Sequence, residues 1–156
     1  MRIIVTGGSG FIGTNLIDHH QAKGDDVLNK DIAPPRNKAH SVYWNKIDLL
    51  DAEGLKKTIH KFKPDMVLHM AVRTDFDGSS LSDYSANTAG VENLIAAIEG
   101  LGSLRRVVFA SSRLVCRIGY QPSSDQDYCP TTAYGESKVL GKQIARTATG
   151  RIPAEW

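Results

Sequence analysis

The sequence predicts an α/β fold, a doubly wound parallel sheet whose five strands run in the order 3-2-1-4-5. Three observations carry this expectation. Short apolar runs alternate with longer stretches of helical period. The runs carry the Val and Ile content of strands covered on both faces. A glycine-rich turn joins the first run directly to the first helical stretch. Such alternation implies βαβ units with right-handed crossovers and helices on both sides of the sheet.

Each element has its own warrant. Residues 2–6 (RIIVT) form the first strand candidate, and Ile12, Leu16 and Ile17 give the following segment, 11–23, a helical repeat. Strands are expected at 26–30 (DVLNK) and 42–47 (VYWNKI), and a helix at 51–62 that Asp51 caps, with Glu53 in its first turn. A fourth strand, 66–70 (MVLHM), precedes a helix over 82–100 that Gly100 and Gly102 terminate. Residues 105–111 (RRVVFAS) and the helix 131–148 complete the series. Three turn-rich connections, 32–40, 73–81 and 117–130, each follow a strand. In an open parallel sheet such loops line the ligand crevice.

Length and composition bound the functional classes. A chain of 156 residues reads as one domain, 1–156. Its 41% apolar and 23% charged content is that of an ordinary globular protein, which excludes disorder, collagen and a disulfide scaffold. The net charge of +2 comes from scattered basic residues, so no nucleic-acid partner is expected. Cys116 and Cys129 lack metal-ligand spacing and read as inert reduced thiols, and no metal is expected. His19 and His20 read as the polar side of the first helix, His40 and His60 as surface residues, and His69 as packed and hydrogen-bonded. The only apolar run near the N-terminus is Ile3-Ile4-Val5, which suggests a cytoplasmic chain with no membrane segment.

The turn Thr6-Gly7-Gly8-Ser9-Gly10-Phe11-Ile12-Gly13 divides its work among three glycines. Gly7 permits the turn off the strand, Gly10 lets backbone N–H groups approach a pyrophosphate, and Gly13 lets the helix lie close to the sheet. The helix N-terminus adds partial positive charge for phosphates. No Gly-Lys-Ser/Thr follows, so a Walker-type loop is excluded. Asp31 ends the second strand at about the offset where a carboxylate accepts from an adenosine 2′-hydroxyl and repels a 2′-phosphate. That favours NAD over NADP, with Lys30 and Arg36 nearby to soften the preference; the alternative is a turn residue before Pro34. Asp48 is placed either to meet the adenine edge or to shape the turn before the helix at 51–62.

Tyr134 and Lys138 stand four residues apart on one face of the last helix, a spacing that alone describes many solvated helices. Ser111-Ser112 ends the fifth strand at the same sheet edge as the glycine loop, and this company gives the pair chemical meaning. Lys138 can hold a nicotinamide ribose and favour a phenolate, Tyr134 can exchange a proton with a substrate hydroxyl, and Ser112 can hydrogen-bond a developing oxyanion.

These segments, with Val67-Leu68-His69-Met70-Ala71, Asn87-Thr88-Ala89-Gly90-Val91-Glu92-Asn93 and Phe109-Ala110-Ser111-Ser112, occur in one order along the chain. Together they resemble the cofactor-binding part of extended short-chain dehydrogenases/reductases, the NAD-dependent nucleotide-sugar epimerases and dehydratases. The resemblance implies a Rossmann-like domain, truncated before the later strands and the C-terminal substrate domain. It implies NAD held by Gly7, Gly10, Phe11, Ile12, Gly13, Asp31, Asp48, Leu49, Ala71, Asn87, Tyr134 and Lys138, and catalysis by Ser112, Tyr134 and Lys138. For Asn87 and Asn93 themselves, hydrogen bonds that link elements are the favoured role. Where such proteins read Val-Tyr-Gly, this chain has Val115-Cys116-Arg117.

The expected function is hydride transfer between NAD and a sugar hydroxyl, on a nucleotide sugar. The alternatives are an NAD(H)-binding module inactive without a substrate domain, and a simple NAD-dependent alcohol dehydrogenase or carbonyl reductase. Strand 105–111 should lie at a sheet edge, which predicts self-association, as a homodimer or larger, through that edge or through the helices at 82–100 and 131–148.

Overall fold

The structure, a computed structural model, describes residues 1–153. Its strands are β1 (Arg2–Thr6), β2 (Asp26–Asp31), β3 (Trp44–Lys46), β4 (Met66–His69) and β5 (Arg106–Phe109). Its α-helices are α1 (Phe11–Ala22), α2 (Ala52–Phe62), α3 (Ala89–Ile98) and α4 (Ala133–Thr147), with 3₁₀ segments at Lys38–Val42, Leu81–Asn87 and Arg113–Val115. The sheet order is β3-β2-β1-β4-β5 and every pairing is parallel, as the sequence predicts.

Strand periodicity sorts the core into two layers. Ile4, Val67 and Val107 point to one face, where Leu55 and Ile59 of α2, Leu94 and Ile98 of α3 and Ala145 of α4 cover them. Ile3, Val5 and Leu68 point to the other, against Ile17 of α1. Ile3, Ile4 and Ile17 are completely buried, each worth roughly 1.5–3 kcal/mol.

Four readings need correction. The third strand shortens from 42–47 to β3 because Asn37 Oδ1 accepts from Ala39 N at 3.0 Å and nucleates a 3₁₀ turn. The helix expected over 82–100 is two pieces, broken at Thr88 (φ −123°, ψ −79°). The side chain before the break, Asn87, is drawn to the loop after β4: its Oδ1 accepts from Arg73 N and its Nδ2 donates to Arg73 O. His20 and His40 are buried rather than surface residues, the first bonded to Asp25 and the second to Asp18, at 2.8 and 2.7 Å. Finally, the outer edge of β5 is not bare: Val107 N donates to Pro153 O at 3.0 Å, and Ile152 joins the core.

His69 is packed and bonded, as expected, with Nδ1 2.7 Å from Thr6 Oγ1 and its ring edge-on to Phe109. Burial, with the Lys138 ammonium adding to it, pushes its pKa down from 6.5 to about 3. Between those values the unfolded chain binds the extra proton, so stability is full above the upper one and falls on acidification. The slope is at most about 1.4 kcal/mol per pH unit. Urea unfolding at successive pH values should show this loss, and His69→Gln should flatten it; an unaltered profile in that variant would place the acid sensitivity elsewhere.

Candidate active site

The carboxyl ends of four strands bring the site together. Register sets Thr6 beside Lys30 on one side and His69 on the other, and His69 beside Phe109. The residues just beyond, Gly7, Asp31, Met70-Ala71 and Ala110, therefore share one edge of the sheet.

The glycine loop is held from below. Gly7 has φ +69°, and a Cβ there would lie 2.6 Å from Ala71 N. At Gly13 a Cβ would meet Gly7 O at 2.2 Å, so this glycine lets α1 close onto the loop. Gly8 plays a part that the sequence did not reveal: a Cβ would strike the buried Asn29 amide, which donates to Ser9 Oγ. Gly10 differs, since a Cβ would find only Gly7 O, at 3.3 Å. Its openness faces no protein group, which fits a ligand lying there. Gly10 caps α1 without a side-chain hydrogen bond, and Thr14 Oγ1 in the first turn is buried with no partner among the described residues. Free first-turn N–H groups of this kind suit a pyrophosphate. Phe11 and Ile12 are exposed at the same end of the helix.

Asp31 is fixed before any ligand is present. Oδ2 accepts from Ser9 N and Oδ1 from Ala33 N, both at 3.0 Å, and each oxygen retains a lone pair for a ribose hydroxyl. Lys30 does not join it, for its buried ammonium donates to Asn45 Oδ1. Asp48 is exposed and accepts from Leu50 N, whereas Leu49 is buried in the core and its carbonyl receives Asn93 Nδ2.

At the other end of the edge, α4 presses on the loop after β5. Thr132 caps the helix, and Gly135 allows the contact, since a Cβ would lie 2.4 Å from Leu114 O. Lys138 Nζ donates to Ala110 O at 2.8 Å, and burial pushes its pKa down to about 8. Ser112 Oγ accepts from Leu114 N, which leaves its own proton free to donate. Tyr134 is mostly buried between two rings, Phe76 at 5.5 Å and Tyr84 at 6.0 Å, both edge-on. Its hydroxyl bonds to none of the described residues. Lys138 borders a cleft with His69, Ala71, Asn87, Ala110 and Ser111, while Ser112 borders a second cleft lined by residues 113–120. Asn87 is committed to linking elements, because Nδ2 also donates to Ser137 Oγ of α4 at 2.9 Å.

Phe76 was missed from sequence, although a lone aromatic in the polar loop Arg73–Ser80 was a usable signal. That loop is stiff: Arg73 grips Asp75 through two hydrogen bonds, and Tyr84 OH donates to Asp75 O.

A parallel 3-2-1-4-5 sheet with a glycine loop at β1 and an acidic residue closing β2 defines a Rossmann-like dinucleotide-binding domain. Comparison with known sequences makes the assignment specific. The chain belongs to the NAD dependent epimerase/dehydratase family, whose profile matches residues 3–152. It is 31% identical over 157 residues to a UDP-glucose 4-epimerase from Mycolicibacterium smegmatis, covering 91% of this chain and 49% of that protein. It is 28% identical over 162 residues to a 3 beta-hydroxysteroid dehydrogenase/Delta 5-->4-isomerase from Mycobacterium tuberculosis, covering 96% and 43%. Among solved structures, the Bordetella bronchiseptica enzyme WbmG in complex with NAD and UDP superposes with a TM-score of 0.83 at 29% identity, covering 99% of this chain and 51% of that one. The chain thus spans about half the length of the relatives it matches. No helix among the described residues is long and apolar enough to cross a membrane.

Proposed function

We propose that this chain is the NAD-binding and proton-transferring half of an enzyme that oxidises a sugar hydroxyl of a nucleotide sugar. One observation carries the proposal: Tyr134 and Lys138 stand a turn apart, and Lys138 Nζ is bonded to Ala110 O, two residues before Ser112. NAD, when bound, supplies the acceptor for the hydride that leaves the substrate carbon. The free N–H groups of residues 11–13 would hold its pyrophosphate, Asp31 the adenosine ribose and Lys138 the other ribose, while Gly10 N–H is already donated to Gly7 O. Tyr134 receives the proton of the substrate hydroxyl, Ser112 donates to that oxygen as charge develops, and the Lys138 ammonium favours the phenolate. Lys138→Met should therefore harm both cofactor binding and turnover. The apolar wall that Phe76 places against Tyr134 favours a second reading, a simple dehydrogenase of an apolar alcohol.

The test is a titration of intrinsic fluorescence with NADH, followed by a search for hydride transfer from UDP-glucose to oxidised NAD. Saturation with no transfer to any substrate would favour a binding module; no saturation would defeat the proposal. In the same assay Asp31→Asn should weaken NADH by roughly 1.5–3 kcal/mol and narrow its advantage over NADPH. Unchanged affinities would remove Asp31 from the site. Self-association through α3 and α4 belongs to this reading too, and sedimentation over a range of concentrations checks it.

A further inference from the structure

The connection from Ser112 to α4 is pinched into a narrow stem, and beyond it Asp125 O accepts from Lys142 Nζ of α4 at 3.0 Å. Arg117 N donates to Cys129 O at 2.7 Å and Cys129 N donates to Val115 O at 3.0 Å, which makes Cys116 and Cys129 directly opposed partners in an isolated parallel bridge. Beyond the stem, residues 117–128 fold on Asp127, which accepts from Tyr120 OH, Ser123 N and Ser123 Oγ. Neither cysteine is in a disulfide, both are partly exposed, and Cys116 Sγ donates to Asp127 O at 3.5 Å.

We propose that Cys116 and Cys129 form a reversible dithiol/disulfide site that reacts with low-molecular-weight disulfides. Partners in adjacent strands lie about 4.7–4.9 Å apart, inside the roughly 4.4–6.8 Å range of Cα separations that a disulfide spans. In a parallel bridge the opposed side chains point to the same side. Closure asks for at most a slight adjustment of the two segments, which an isolated bridge permits more readily than a ladder. The entropy of bringing the loop ends together is already met by the fold, so the second thiol acts at high effective concentration. Chemically, one cysteine thiolate attacks oxidised glutathione, forms a mixed disulfide and releases one glutathione thiolate. The other cysteine thiolate then attacks the protein sulfur of that mixed disulfide and expels the second. The protein is oxidised by two electrons, the glutathione disulfide is reduced, and the two thiol protons pass to the released glutathione. Closing the stem ties the segment after Ser112 to the one before Thr132, and so fixes the span between two of the proposed catalytic groups.

The site can be tested without activity or cofactor, so its failure is distinct from failure of the function proposed above. The folded chain is incubated with oxidised glutathione, quenched with acid and weighed intact, then digested with trypsin without reduction. The expected product is a monomer that has lost two hydrogens, with peptides 114–117 and 118–138 joined by a disulfide, and with the mixed disulfide never more than a minor species. Stable glutathione adducts on both cysteines, disulfide-linked dimers, or two unreacted thiols would each overturn the proposal.

Discussion

Tyr134→Phe is expected to lower turnover by about two to four orders of magnitude while leaving NADH affinity nearly unchanged. The substitution removes one oxygen and keeps the ring. Phe76 and Tyr84 meet that ring edge-on, and neither contact involves the hydroxyl, so the packing of α4 on the loop after β4 should survive. The hydroxyl bonds to no described residue, and its loss leaves no buried partner unsatisfied. A fall in turnover with the NADH titration intact separates proton transfer from binding. Wild-type turnover in the variant would exclude Tyr134 as the proton carrier.

Gly13→Ala should be among the most damaging single methyls in the glycine loop. Its Cβ would be driven into Gly7 O and Gly8 Cα, both backbone atoms with no rotamer to offer, so α1 must lift from the loop. Overpacking of this kind costs roughly 1–3 kcal/mol, and lifting α1 would also shift the first-turn N–H groups that would face the pyrophosphate. Gly10→Ala is the control, since its Cβ meets one protein atom at 3.3 Å. It should unfold at nearly the wild-type urea concentration yet bind NADH more weakly. If the two variants lost stability equally, the open space at Gly10 would not be kept for a ligand.

Much of this architecture was legible because its determinants are local. Val and Ile runs broken by helical repeats gave the strand order, and the spacing of Gly7, Gly10 and Gly13 placed the loop. What escaped reading depends on partners distant in sequence. The apolar pattern through 82–100 is continuous, and nothing in it reveals that Asn87 will bind the Arg73 backbone and Ser137 and so break the helix. His40 looks polar until Asp18, 22 residues earlier, lies against it. The opposition of Cys116 and Cys129 arises from a loop closure that no short motif encodes.

The way Asp31 is held has a thermodynamic consequence. Two backbone N–H groups lock the carboxylate rotamer in the free protein, so a ribose that docks there freezes no new torsion. The entropy of ordering that group was surrendered during folding, when the loop itself became ordered. Calorimetric titration of NADH should therefore show a smaller unfavourable entropy for the wild type than for Asp31→Ser. Its shorter side chain would leave the Ser9 and Ala33 amides to be organised only as the ligand arrives.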